Sequence, residues 1–370
     1  MKLAAKIIIS LLFTYFLLEL GCFILLKTRF NRAHFPSFKL VKQADSFQSH
    51  IAEIRPEWGM WHYPNQTLEK KIDCLDFTIH TNSYGARDKE RVRAADANRF
   101  VFLGDSFIEG WGMNEKERLS DLLEVSLNKE VLNFGCGWFT PTQEYLTYKY
   151  LAKDFSHDVI LWAILPFNDF NCDDTSYHEP DSYLHYQPYF EGDYPNYHLM
   201  YREDNVSKST FNKENFKKPL PLPGKQKPAN FLREFTFWFN IYEDVRQKAR
   251  DGRSAKQVAS AYYDYKQSEL KKLFFIIQKL KEEANGKKII IVTLPVRDDF
   301  ERYKSDKIIP LKNNLDSFSK VENIVYIDLL TSLEIKEKNV DRLYFKCDGH
   351  WNEYANKLAS EILLPLLKTQ

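Results

Sequence analysis

The sequence predicts an α/β fold, a mostly parallel five-stranded sheet with helices on both faces, and three observations carry that prediction. Short apolar runs such as FVFL (Phe100–Leu103) and VILWAIL (Val159–Leu165) have the length and continuity of strands buried on both faces. Stretches with leucines at helical spacing separate them, as over Glu117–Leu127. Strand-helix alternation of this kind calls for crossover connections and a parallel sheet.

Taken in order, Phe100–Leu103 is the first strand, Glu117–Leu127 a helix, Val131–Phe134 the second strand and Val159–Leu165 the third. Tyr262–Ala284 has a long helical pattern that stops at Asn285-Gly286, a suitable helix end. Lys288–Leu294 and Ile324–Leu329 are the fourth and fifth strands, and Asn352–Leu367 is a closing helix. Two regions interrupt the alternation. Residues 28–98 contain WGMWHYPNQTLEKK and FTIHTNSYGARD, whose alternation, with Asn82-Ser83 and Gly85, suggests a small hairpin or strand pair. Residues 170–255 form an insertion in which QPYFEGDYPNYHL reads as a hairpin turned at Glu191-Gly192-Asp193, and NFLREFTFWFNIYEDVRQ as an amphipathic helix.

The N-terminus belongs to another class. Ile7–Leu26, IIISLLFTYFLLELGCFILL, is a 20-residue apolar run with Glu19 as its one charge, enough to span a hydrocarbon core of about 30 Å as a helix. No small-x-small cleavage site follows it, and Glu19 stands where a lipoprotein signal wants an aliphatic residue before Cys22. The run therefore reads as an uncleaved, single-pass anchor through residues 7–26, with the N-terminus inside and the rest periplasmic or extracellular. The expected organisation is an anchor over 1–27, a membrane-proximal extension over 28–98, and a domain over 99–370 carrying the insertion. Lys+Arg 52 against Asp+Glu 51 leaves a net charge of +1, which removes the electrostatic case for a nucleic-acid partner. Cys74, Cys136, Cys172 and Cys347 show no C-x-x-C spacing, which argues against zinc and leaves one or two disulfides open in an exported domain.

Chemistry concentrates where strands end. Gly104-Asp105-Ser106 directly follows a buried strand, at the edge of the sheet where α/β proteins bind ligands, and Ser106 stands at a helix start. Helix N-capping alone would account for such a serine. Its partner is in FKCDGHWNEYA: His350 has Asp348 at i−2, on the same side of an extended loop and placed to orient the imidazole. The second strand runs into VLNFGCG, where the Gly135 backbone N–H suits an oxyanion, with Gly137 competing for the role. The third runs into ILPFNDF, where Asn168 offers an amide. Asp105 and Asp169 suit loop bracing. Asp173, Asp174, His178, Glu179 and His185 read as a polar surface loop rather than a metal site. Tyr183, Tyr186, Tyr189, Tyr194 and Tyr197, interleaved with polar residues, suit a sugar-binding lid or a satellite core.

Ser106, Gly135, Asn168 and His350, in that order and each after its strand, resemble the four blocks of the SGNH (GDSL-type) hydrolase family over about Phe100 to the C-terminus. TNSYGARD, NDF and DGHWN are similar to a membrane-anchored bacterial subgroup. Phe107 replaces the leucine of GDSL, and D-x-H-W replaces D-x-x-H, as in alginate O-acetyltransferase-like relatives. The resemblance implies a three-layer α/β/α sandwich of flavodoxin-like topology. It also implies a serine esterase in which Ser106, His350 and Asp348 are catalytic and Ser106, Gly135 and Asn168 form the oxyanion hole, with neither metal nor organic cofactor. The expected substrate is an O-acyl, foremost O-acetyl, group of an envelope or secreted glycan. The alternatives are acyl transfer onto a glycan by the same residues, and a non-catalytic glycan-binding component among glycan-assembly proteins.

Overall fold

The computed structural model describes residues 2–28, 35, 36, 38, 52–55, 57–72, 74–95, 99–172, 187–200, 228–250 and 258–369. In chain order the elements begin with α1 (Lys2–Thr28), β1 (Ala52–Arg55), β2 (Gly59–His62), β3 (Thr67–Ile72), β4 (Leu75–His80), β5 (Phe100–Leu103), α2 (Ser106–Glu109) and α3 (Leu119–Leu127). Next come β6 (Val131–Asn133), α4 (Pro141–Tyr150), β7 (Val159–Ile164), α5 (Pro166–Cys172), β8 (Tyr189–Asp193), β9 (Asn196–Met200), α6 (Pro228–Phe235) and α7 (Phe237–Arg250). The chain closes with α8 (Gln267–Ala284), β10 (Lys288–Thr293), α9 (Arg297–Ser305), α10 (Pro310–Glu322), β11 (Val325–Asp328), α11 (Leu329–Lys336) and α12 (Glu353–Leu367). Packing divides the chain into two units, 1–50 with 216–257 and 51–215 with 258–370.

The larger unit is built on a five-stranded sheet of order β11-β10-β7-β5-β6 in which every pairing is parallel. β5 and β7 are apolar and buried at every position, as strands covered on both faces require. From β5 the chain steps to β6 at one edge, then returns through β7, β10 and β11 toward the other. Right-handed crossovers therefore place α3 on one face and α4 and α8 on the other. The direction reverses between β5 and β7, the switch point at which such sheets open a crevice beyond their carboxyl ends. Expected fold class and observed architecture agree.

Several boundaries differ from expectation. The long helix starts at Gln267 rather than Tyr262, because 261–264 is a turn closed by N–H bonds from Tyr263 and Asp264 to the Ser260 carbonyl at 2.9 and 2.8 Å. Tyr262 is fully buried there, which explains its apolar signature. The 187–200 hairpin turns at 194–195 between Asp193 and Asn196, two residues beyond the expected turn. The single amphipathic helix expected over 230–247 is two helices, α6 and α7, broken at Thr236.

Residues 51–95 pack with the sheet as part of the larger unit. β1 pairs with β2 and β3 with β4, both antiparallel, giving two strand pairs where one was expected. Asn82 is not at a hairpin tip. Its side-chain oxygen accepts the N–H groups of Tyr84 and Ala86, both at 3.0 Å, and so shapes the turn that delivers Arg87 to the interior. Arg87 is 1% exposed, and its guanidinium donates to the carbonyls of Thr78, Glu109, Gly110 and Met113 at 3.1, 3.3, 2.6 and 2.6 Å. Burial lowers its pKa to about 10, well below the ordinary arginine value yet still cationic at neutral pH.

Candidate active site

Ser106 begins α2 immediately beyond β5. Asp105, rather than Ser106, caps this helix: Oδ1 accepts the Phe107 N–H at 3.0 Å, leaving the serine hydroxyl free for other contacts. The Ser106 Oγ lies 2.8 Å from His350 Nε2. On the far side of the ring, His350 Nδ1 makes a close contact with Asp348 Oδ1, and the same oxygen accepts the His350 backbone N–H at 2.8 Å. The i−2 spacing works because the carboxylate binds both the backbone and the ring of the residue it orients. Burial alone would raise the Asp348 carboxyl, but hydrogen bonding and charge attraction from His350 outweigh that and hold it below its usual value.

The loop carrying these residues is closed at its base. Tyr344 and Trp351 form an antiparallel bridge, Phe345 N–H donates to His350 O at 3.1 Å, and Asn352 N–H donates to Leu343 O at 3.0 Å. Cys347 is bonded to Cys74, in the β3–β4 turn, with their Cα atoms 5.8 Å apart. The sequence left one or two disulfides open. This one joins residues 273 apart, while Cys136 is a free buried thiol. The Phe107 ring centroid lies 5.0 Å from that of His350 and 5.6 Å from that of Trp351, so the residue in place of leucine packs against the imidazole of His350.

Asn168, in the first turn of α5, donates its side-chain amide to Asp105 Oδ2 at 2.7 Å. Asp105 thus ties the β5 and β7 loops together; burial pushes its carboxyl up to about 6. Asp169 Oδ2 accepts the Leu165 N–H at 2.7 Å and fixes the start of its own helix.

Gly135 and Gly137, the two glycines competing for the oxyanion role, differ in their surroundings. The Gly135 N–H donates to Asn133 Oδ1 at 2.9 Å, and a Cβ at this position would lie 2.4 Å from the Glu109 nitrogen. Gly135 is glycine because α2 passes directly over it. Gly137 is the glycine beside Ser106: a Cβ there would lie 3.8 Å from Ser106 Cβ, with Glu109 Oε2 at 3.0 Å as its nearest neighbour. Its N–H is held by that carboxylate oxygen at 2.6 Å.

Glu109 was not singled out from the sequence, nor was His62. Both are buried, with His62 Nε2 3.3 Å from Glu109 Oε1 and His62 Nδ1 3.1 Å from the Gly85 carbonyl oxygen. Burial would raise the Glu109 carboxyl, but His62 and Arg87 reverse that effect and keep it below its ordinary value. With Cys136 these side chains place three ligand-type atoms within 4.8 Å of one another. An acid inside an otherwise apolar SFIEG turn was the available signal. Its partner, 47 residues away in sequence, gave none.

Of the aromatic insertion, Phe190 packs on Tyr145 and Phe275 with ring centroids 6.2 and 5.1 Å away, so β8 is seated on the body as a satellite core. Tyr189 and Tyr197, with Glu191, Asp193 and Lys272, line a cleft of about 260 Å³ that also reaches Asp169 and Phe170 of α5. Tyr194 is exposed. Tyr183 and Tyr186, and Asp173, Asp174, His178, Glu179 and His185, lie outside the described residues.

No protein-family model and no curated protein matches the chain. Among solved structures it is similar to a member of the lipolytic protein G-D-S-L family from Veillonella parvula, at 13% identity and a TM-score of 0.39, covering 74% of this chain and 100% of that one. It is also similar to the lipase/acylhydrolase from Enterococcus faecalis (11%, TM-score 0.35, covering 74% and 96%). A third is a GDSL-like lipase from Bacteroides thetaiotaomicron (12%, TM-score 0.31, covering 73% and 89%). Similarity at this level leaves the chemistry to the side chains themselves.

Proposed function

We propose that this protein is a serine hydrolase acting on esters. The particular reading is an SGNH-type, membrane-anchored esterase that removes O-acyl groups, foremost O-acetyl, from an envelope or secreted glycan. The relay Ser106 Oγ to His350 Nε2 at 2.8 Å, with His350 Nδ1 against Asp348, carries the proposal. His350 takes the Ser106 proton as Oγ attacks the ester carbonyl, then returns it to the departing alkoxide. Water, deprotonated by the same imidazole, resolves the acyl-enzyme. The negative charge that develops on the carbonyl oxygen is met by the Ser106 N–H, which as the first of its helix has no intrahelical acceptor, and by the Asn168 amide. One such donor contributes about 3–4 kcal/mol to lowering the barrier. The third donor in this reading is the N–H of Gly135 or of Gly137, held in the structure by Asn133 Oδ1 at 2.9 Å and by Glu109 Oε2 at 2.6 Å respectively.

The substrate class is supported by the tyrosine-walled cleft beside α5, and the anchored location by α1, which is long and apolar enough to cross a membrane. The Cys74–Cys347 disulfide supports a catalytic unit on the oxidising side of that membrane. The test is hydrolysis of p-nitrophenyl acetate by the full chain in detergent. Ser106→Ala abolishes turnover, and Asp348→Asn lowers kcat on the order of 10⁴-fold with KM retained, because the imidazole then loses its tautomer and orientation. Equal rates in wild type and Ser106→Ala would refute the acyl-enzyme.

A further inference from the structure

The smaller unit contains a helix break finished in a way that water does not require. α6 and α7 are interrupted at Thr236, which is 5% exposed. The Thr236 N–H and Oγ1 both donate to the Leu232 carbonyl, at 2.9 and 2.7 Å. Asn240, 2% exposed, uses its side-chain amide to cover the carbonyls of Arg233 and Thr236 at 2.8 and 2.7 Å. The Phe237 N–H, at the start of α7, donates to Glu19 Oε2 at 2.7 Å. That carboxylate is the single charge of the apolar run in α1. A carboxylate inside an apolar span is costly unless paired, and the first N–H of a fourteen-residue helix supplies both a donor and a favourable dipole.

Aromatic packing surrounds this join. Phe237 has ring-centroid contacts with Phe23 of α1, Phe35 and Phe38 at 5.3, 5.4 and 5.5 Å. Other apolar side chains of the same helices face outward: Phe231, Tyr242 and Val245 are 50%, 48% and 50% exposed. Irregular backbone at membrane depth is tolerated only where protein groups meet its freed N–H and C=O groups, and aromatic side chains favour the boundary between lipid and water.

We propose that residues 228–250 are a lipid-contacting helical hairpin that clasps the membrane anchor at Glu19, its exposed apolar side chains covered by bilayer lipid. The proposal rests on α1 being a retained span. It gives this half of the insertion a membrane partner in place of a substrate.

The experiment uses the full chain in phospholipid nanodiscs, with cysteine introduced at Phe231, Tyr242 or Val245 and, as control, at Val321, which is 83% exposed. A bulky water-soluble maleimide is added, and labelled sites are located by peptide mass. Labelling at the three hairpin sites is expected to be at least tenfold slower than at 321. Glu19→Leu, which preserves the apolar run, and Asn240→Leu each bring the rates to within threefold of the control. Rates equal to the control with the N-terminal peptide intact would overturn the hairpin while leaving the anchor standing. Protein whose intact mass lacks the first helix would overturn both. Protection unchanged in both variants would overturn the clasp at Glu19.

Discussion

The bond between Cys74 and Cys347 closes a loop of 273 residues and fixes a site three residues from His350. Replacing both cysteines by serine removes two distinct contributions. In the chain-entropy account, a loop of this length constrains the unfolded state by about 5.6 kcal/mol. With a urea dependence of about 3 kcal/mol per molar, the unfolding midpoint of the double variant falls by about 1.9 M. The catalytic loss is smaller, because the Tyr344–Trp351 bridge, the Phe345 N–H to His350 O bond and the Asp348 contacts keep the loop's internal frame. What disappears is the external tie to the β3–β4 hairpin, so kcat is expected to fall by no more than about tenfold, equivalent to about 1.4 kcal/mol of barrier. Urea titration and p-nitrophenyl acetate kinetics, each with and without reductant, measure the two effects separately. A midpoint unmoved in the double variant refutes the entropic account. A kcat as low as that of Ser106→Ala refutes the claim that the loop holds its own geometry.

Two further outcomes follow from burial. Gly135→Ala places a methyl 2.4 Å from the Glu109 nitrogen and 2.7 Å from the Ile108 carbonyl carbon, where only backbone movement gives relief, and a loss of about 3 kcal/mol is expected in thermal unfolding. Gly137→Ala meets only the Glu109 carboxylate at 3.0 Å as a close neighbour, so its melting temperature stays near wild type while kcat falls; the reverse ranking of the two variants would refute these assignments. Asp299, 1% exposed, has its carboxyl pushed up to about 7 by burial, even though Ser260 Oγ and the Val296 N–H donate to it at 2.6 and 2.7 Å. A raised carboxyl pKa favours the folded state at low pH and loses that advantage as pH rises to the folded value. Asp299→Asn is therefore expected to be more favourable, relative to wild type, at pH 8 than at pH 5 by about 2–3 kcal/mol. Equal differences at the two pH values would remove this titration from the account.

What the sequence revealed divides along a physical line. β5 and β7 were legible to within a residue because strands buried on both faces have nothing but apolar side chains, and α12 because Asn352 caps it with a side-chain bond to the Ala355 N–H at 3.1 Å. The grouping of Ser106, His350 and Asp348 was legible because each sits at a junction where an apolar run stops. The surroundings of Gly135 and Gly137 were not, since they depend on which glycine α2 passes over. Nor was the pairing of His62 with Glu109 or of Cys74 with Cys347, because contacts between distant segments leave no periodicity to detect. Tyr262 misled by being buried for a reason other than helix formation.

Arg87 sets a limit on how this chain can be dissected. Its guanidinium is the donor for three carbonyls at the end of α2 and just beyond it. A fragment begun at β5 would lose the donor to those carbonyls, open them to water and remove His62 from Glu109 as well. The strand pairs of residues 52–80 and the turn that follows are thus an integral piece of the larger unit. Fragments for expression should therefore begin upstream of β1, near residue 52 rather than near 99.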